Sequence, residues 1–205
     1  MQAAAKPGTA TSMPRPTATS TDEANRPQTG WAFRPNDISR IRPPTWLGPT
    51  NVPDDDAPMT LVANQPRTRL HSQFDFGGHS TDAKHRGREV ARMHPDDAAA
   101  RGIAEGDIVR LFNERGACLA GVRITDGIRQ GVIQLPTGAW YDPVDPTEEN
   151  PLCVHGNPNV LTRDVGTSAL AQGCTGQLTT VQVERFNGNL PPIQAHDPPA
   201  MVAAE

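Results

Sequence analysis

Residues 94–138, HPDDAAARGIAEGDIVRLFNERGACLAGVRITDGIRQGVIQLPTG, carry the clearest structural pattern in the chain. Apolar residues recur within three short segments of this stretch, and Gly and Asp residues separate the segments. They predict strands with the sequences IVRLFN at 108–113, ACLAGVRIT at 117–125 and VIQLP at 132–136. Strands this short between such turns favour an antiparallel-rich β-barrel or sandwich over a doubly wound sheet.

A short helix is predicted immediately before these strands. Pro95 suits the first turn of a helix, because the N–H that proline lacks would have no partner there. Asp96 and Asp97 suit the positive end of the helix dipole, and three alanines continue the helix. Gly102 can then end it in a left-handed conformation.

Two further strands complete the predicted domain. MTLVAN at 59–64 runs into a polar loop, and LTTVQVERF at 178–186 closes the domain. The flanking segments 1–42 and 187–205 are rich in Pro and small residues without an apolar period, so we expect a disordered arm and a Pro-rich, disordered tail. The predicted folded domain is 43–186, mainly β with short helices.

The composition narrows the class of protein. The chain has 205 residues and a formal net charge of −4, which argues against general binding to nucleic acid or to anionic membranes. Its three cysteines are irregularly spaced, as in reduced intracellular proteins, and Cys118 is most simply a core residue of a strand. No stretch approaches the roughly 20 apolar residues that cross a bilayer, and the N-terminus lacks a secretory apolar region. We therefore expect a cytoplasmic protein.

Two polar loops are candidate binding surfaces. LVANQPRTRLHSQFDFGG at 61–78 changes abruptly from apolar to polar residues, and its Arg67 and Arg69 could hold a phosphate or pyrophosphate. The glycine-rich loop at 155–177 offers amide and hydroxyl groups that suit the edge of a heteroaromatic ring. An ordinary solvated loop also explains either pattern.

The remaining reactive residue types do not form a recognisable site. The spacing of Cys153, His155 and Cys174 does not match a zinc motif, and no motif places a base beside a cysteine. Trp140 and Tyr141 could stack on a ligand, but core packing at a barrel corner is the favoured interpretation.

Four segments, taken together and in order, resemble one known family. They are LVANQPRTRLHSQFD at 61–75, GREVARMHPDDAAARGIAEGDIVRLFNERGACLAG at 87–121, IRQGVIQLPTGAWYDP at 128–143 and HGNPNVLTRDVGTSALAQG at 155–173. They resemble the C-terminal domain of the dimethyl sulfoxide reductase family, in the branch of biotin sulfoxide reductase and trimethylamine N-oxide reductase.

The resemblance implies a six-stranded double-psi β-barrel that binds molybdopterin guanine dinucleotide (MGD), two copies of which hold one molybdenum as bis-MGD. It also implies a set of residues that contact this cofactor: Gln65, Arg69, His71, Ser72 and Gln73 in the first loop, Asn157, Asn159 and Gln172 in the second, and Gly138 and Trp140 near the same surface. No residue of the chain is expected to ligate the metal or to act catalytically.

The same resemblance frames the expected function. Reductases of this family carry a long upstream region with a serine that ligates molybdenum, and residues 1–42 do not resemble it. We therefore expect the cofactor-binding domain or subunit of an S-oxide or N-oxide reductase, inactive alone, completed by a separate chain with the catalytic domains or covered by self-association. A cofactor carrier, a protein-interaction module and a truncated gene remnant remain open alternatives.

Overall fold

The computed structural model describes residues 52–163 and 178–198 of the chain. The strands are β1 (Met59–Val62), β2 (Val90–Met93), β3 (Ile108–Asn113), β4 (Gly116–Ile124), β5 (Val132–Gln134), β6 (Leu152–Cys153) and β7 (Leu178–Arg185). The helices in this part of the chain are α1 (Gly78–Thr81), α2 (Pro95–Ala99) and a 3-10 helix at Pro158–Leu161. The predicted arm at 1–42 lies outside the described residues.

Six of these strands close into a barrel. Its neighbours run in the order β2, β5, β1, β7, β3, β4, and the pairing of β4 with β2 completes the circle. The pairs β1–β5 and β2–β4 are parallel, and the other four neighbouring pairs are antiparallel. β6 joins the barrel from outside, in parallel with the start of β4. This architecture confirms the predicted mainly β fold with six barrel strands and short helices.

The barrel interior is filled by side chains that alternate along the strands. Leu61 in β1, Leu111 in β3, Ile133 in β5 and Val181 in β7 are fully buried, as the two-residue period of a strand requires when one face meets a core. Cys118 in β4 is also fully buried, which confirms its predicted core position.

The predicted helix begins at Pro95, as expected, and is the short α2. His94 is its N-cap and accepts a hydrogen bond on Nδ1 from the Asp96 N–H at 3.2 Å. Gly102 follows the helix with φ 61°. The buried Asp97 accepts the Gly131 N–H at 2.7 Å, so the helix is fixed to the turn before β5.

Residues 187–196, here called the C-terminal strap, lie against the outside of the barrel. Ile193 packs on an apolar cluster of Ile108, Leu119 and Val154 that lies apart from the barrel core. A Cβ on Gly87 would approach the Ile193 Cδ1 atom to 2.7 Å. The sequence predicted a tail here because the strap has few apolar residues. None of the helices in the described ranges has the length and apolar character needed to cross a membrane.

Candidate functional site: two loops over a buried polar network

The loop between β1 and α1, the first loop, folds back on itself through short backbone hydrogen bonds. The Gln73 N–H donates to Leu70 O at 3.0 Å, and the Gly77 N–H donates to Phe74 O at 2.9 Å. His71 and Phe74 have φ values of 50° and 59°. This left-handed conformation is uncommon for residues other than glycine and persists only where the surroundings impose it.

The segment after β5 provides those surroundings. Gly138, at φ 91°, comes so near the first loop that a Cβ there would lie 1.8 Å from His71 O. The indole Nε1–H of Trp140 donates to Ser72 O at 2.9 Å, and the Thr137 N–H donates to Asn64 O at 2.9 Å. The two segments therefore form one interlocked surface.

A network of four buried charges lies beneath this surface. Asp75 pairs with Lys84 at 2.8 Å and with Nε of Arg69 at 3.3 Å. Glu89 pairs with Nη2 of Arg69 at 2.6 Å and with Lys84 at 3.5 Å. Arg69 also donates to the Ser80 hydroxyl at 3.0 Å. Two anions and two cations thus balance, which a buried charge requires.

Asp75 is ionised within this network. Burial alone would raise its pKa, but the hydrogen bond and the charge of Lys84 oppose that effect, and hydrogen bonds from His196 and the Trp140 N–H add to the opposition. The pKa of Asp75 is lowered to about 2 as a result.

His155 joins the network from the second loop. Its Nδ1 lies 3.1 Å from Trp140 O and 3.6 Å from Asp75 Oδ2. Burial lowers the pKa of His155 to about 4, and the positive charge of Lys84 contributes, so the ring is neutral at pH 7. Nδ1–H therefore donates to Trp140 O, and Nε2 is buried without a hydrogen-bond partner among the described residues.

The strap completes the network with a second histidine. His196 Nε2 lies 3.1 Å from Asp75 Oδ2, and its ring meets the rings of His155 and Trp140 edge to face. Asp75, His155 and His196 offer ligand atoms within 4.8 Å of one another. The buried cations of Lys84 and Arg69 would repel a divalent metal bound there. We therefore interpret the three residues as a hydrogen-bonded cluster that supports the loops.

Sequence reasoning missed this network. Asp75 and His196 are 121 positions apart, and no motif or spacing joins them to Lys84 and Glu89. The sequence offered only an indirect indication of the network. Asp75, Glu89 and His155 lie in the segments that resemble the family, but the resemblance does not indicate which residues they contact.

The structure brings seven of the predicted cofactor-contacting residues together, in the first loop and in the segment after β5. Asn157 and Asn159 are not among them, because their 3-10 helix packs against the turn between β3 and β4. Exposed ones are Gln65, His71, Ser72, Gln73 and Asn159, half-buried ones are Gly138 and Trp140, and buried ones are Arg69 and Asn157. Gln172 lies outside the described residues. None of these positions is tested by a bound ligand, so the contacts stay predictions.

Besides Trp140, three of these residues already have structural partners. Arg69 is engaged within the charge network. Gln65 donates from Nε2 to Arg69 O at 3.1 Å, and Asn157 accepts the Asn159 N–H at 2.9 Å as the cap of the 3-10 helix. The favoured interpretation of Tyr141 as a core residue is wrong, because its side chain is half exposed.

The exposed part of the surface suits a ligand rich in hydrogen-bond acceptors. The side chains of His71, Ser72 and Gln73 are exposed and make no hydrogen bond to any described residue. They stand on a backbone that Gly138 and Trp140 hold rigid, and preorganised donors of this kind fit a large polar cofactor that stays bound. The residues present therefore fit a dinucleotide with phosphate and pterin acceptors.

Comparison with known proteins assigns this barrel to a family. Residues 59–179 match the family model described as Molydopterin dinucleotide binding domain. The dimethyl sulfoxide/trimethylamine N-oxide reductase of Rhodobacter capsulatus is 47% identical over 148 residues, which are 71% of this chain and 18% of the relative. Biotin sulfoxide reductase of Cereibacter sphaeroides is 45% identical, over 73% of this chain and 19% of the relative.

A third relative gives the same result. Trimethylamine-N-oxide reductase of Haemophilus influenzae is 43% identical over 78% of this chain and 20% of the relative. The chain spans about a fifth of the length of these curated relatives. Since the family model covers more than half of the chain and includes both loops, the chain belongs to the molybdopterin dinucleotide binding domain family.

Proposed function

We propose that this chain holds bis-MGD, with its molybdenum, as the cofactor-binding part of an S-oxide or N-oxide reductase. The observation that carries the proposal is the identity of 43% to 47% with reductases of this type across the barrel and its loops. In this proposal a separate chain supplies the catalytic domains and is the partner of the barrel.

The bound cofactor supplies the oxygen-atom transfer chemistry, and the chain's own residues bind and orient it. Ser72, Gln73 and His71 would donate hydrogen bonds to its acceptors from the first loop. Trp140 fixes that loop through the hydrogen bond from its indole N–H to Ser72 O. Asn159 and Gln172 would offer amide groups to the cofactor from the second loop.

Arg69 has a positioning role in this proposal. Its guanidinium is almost fully buried, and it joins Asp75, Glu89 and Ser80. It also donates to Thr137 O at 2.9 Å. These contacts join the first loop to the segment after β5. Replacing Arg69 would therefore disturb the conformation of the loop as well as any direct contact with the cofactor.

The test is cofactor retention by the full, tagged chain isolated from its native cell. Molybdenum and acid-released guanine nucleotide would be assayed in the eluate, together with any large co-purifying polypeptide. We expect two guanine nucleotides for each molybdenum and a large partner. The variant Ser72→Ala/Gln73→Ala should retain about tenfold less of both, because it removes two hydrogen-bonding side chains.

The control is Gln130→Ala/Asn189→Ala, which changes two exposed polar side chains that belong to neither loop. It should retain the cofactor as the unchanged chain does. Recovery of cofactor without a large partner would favour a carrier over a reductase subunit. An eluate with neither molybdenum nor guanine nucleotide would contradict the proposed function.

A further inference from the structure

A second polar pocket lies on the barrel wall beside the first loop. It has a volume of about 160 Å³. The polar side chains of its lining include those of Asn64, Arg67, Arg92, Arg123 and Gln134. It shares only the start of the first loop with the surface formed by His71–Gln73 and Gly138.

The strand register places two of its arginines side by side. Arg92 in β2 lies opposite Arg123 in the parallel strand β4 and opposite Gln134 in β5. The neighbours Ala91 and Met93 are fully buried. Because side chains alternate along a strand, Arg92 points away from the core. Arg67 reaches the same pocket from the first loop.

These arginines have no anionic partner in the described part of the chain. Neither Arg67, Arg92 nor Arg123 forms an ion pair or a side-chain hydrogen bond with a described residue. The carboxylate that lines the pocket belongs to Glu89, and its Oε2 is already held by Arg69 and Lys84.

Arg67, Arg92 and Arg123 are exposed, so water weakens their mutual repulsion without removing it. Like charges directly opposite each other on neighbouring strands destabilise a sheet. The chain as a whole is acidic, with a net charge of −4, so the cationic pocket does not reflect the general composition. An anion in the pocket would relieve the repulsion.

We propose that this pocket binds a phosphate group. Guanidinium groups match the oxygens of phosphate in fork geometry, and three of them can surround one group. Pockets for whole drug-sized molecules usually exceed about 300 Å³, so the volume here suits a single anionic group. That group is either a free phosphate ion or the terminal phosphate of a nucleotide.

The test is calorimetric titration of the full chain with inorganic phosphate at constant ionic strength. Arg92→Gln/Arg123→Gln should weaken phosphate binding about tenfold or more, since it removes two charge-assisted contacts. The matched control, Arg110→Gln/Arg129→Gln, removes the same charge outside the pocket and should change the affinity by less than about twofold.

Titration with other ligands identifies whether the bound phosphate is a free ion or part of a nucleotide. Guanosine monophosphate that binds more tightly than phosphate, and that responds to the same variant, would place the group on a nucleotide. Equal affinity for the two would indicate the free ion. Absence of phosphate binding, equal weakening in both double variants, or glutarate binding as tightly as phosphate would each overturn the proposal.

The outcome does not depend on the proposed cofactor role. Ser72→Ala/Gln73→Ala should leave phosphate affinity unchanged, because neither residue lines the pocket. Failure of cofactor retention and failure of phosphate binding can therefore be told apart.

Discussion

Gly138 shows how one residue fixes the shape of the candidate site. Its positive φ and its approach to His71 O both exclude a side chain. Because His71 O and Ser72 form the turn that presents the exposed donors, any shift of the backbone at 138 moves the loop directly.

We predict that Gly138→Ala lowers the free energy of unfolding by at least about 3 kcal/mol, since backbone strain adds to a severe clash. Gly131→Ala is the matched control, because Gly131 also has a positive φ, 77°, but a Cβ there would meet no atom within 4 Å. That control should lose only about 1 kcal/mol, the strain alone. Urea unfolding of both variants measures the difference, and equal losses would contradict the assigned contact.

Local sequence patterns predicted where the first loop lies, but not which residues its buried side chains contact. The change from apolar to polar residues after 61–63 marked the first loop, and Gly102 marked the helix end. The pairing of Arg69 with Glu89 and of Asp75 with Lys84 depends on how the barrel closes, which no local pattern contains.

The strap shows how far the structure of a whole element can be predicted from its composition. Its Pro-rich composition predicted a tail, yet its backbone N–H groups at Gln194 and Ala195 donate to Asp142 Oδ2 at 2.7 and 3.0 Å. The Arg88 guanidinium also donates to Pro191 O. These bonds use backbone atoms, which every sequence offers, so composition alone could not indicate them.

Removing the strap should destabilise the barrel. A chain ending at Asn187 loses the burial of Ile193, the hydrogen bonds to Asp142 and the contact of His196 with Asp75, together at least about 3 kcal/mol of unfolding free energy. A chain ending at Pro198 keeps the strap and serves as the control. Urea unfolding curves of the two should differ in their midpoints; if they coincide, the strap does not stabilise the fold.

At the scale of the whole molecule, the buried network makes stability depend on pH. The folded-state pKa of His155 is about 4, below the usual value of 6.5, so the unfolded chain binds a proton first as the pH falls. Stability therefore decreases from about pH 6.5 towards pH 4. Asp75, whose pKa is lowered to about 2 from 3.8, adds a further loss below pH 4.

Between pH 7 and pH 5 the His155 contribution should remove about 2 kcal/mol of unfolding free energy. His155→Asn keeps a donor near Trp140 O but cannot titrate, so its loss over this interval should be smaller by about that amount. His79→Asn, at an exposed position, is the control and should behave like the unchanged chain. Identical pH slopes for all three proteins would show that His155 does not titrate as inferred.

The place of β7 in the barrel has a consequence for biosynthesis. Among the strands of the described residues β7 comes last along the chain, yet it lies between β1 and β3 and pairs with both. A nascent chain still lacking residues 178–185 therefore leaves two strand edges unpaired, and such edges recruit other chains. The ribosome must release this strand from its exit tunnel before the barrel can close, so chaperone protection should matter most until residues 178–185 have emerged.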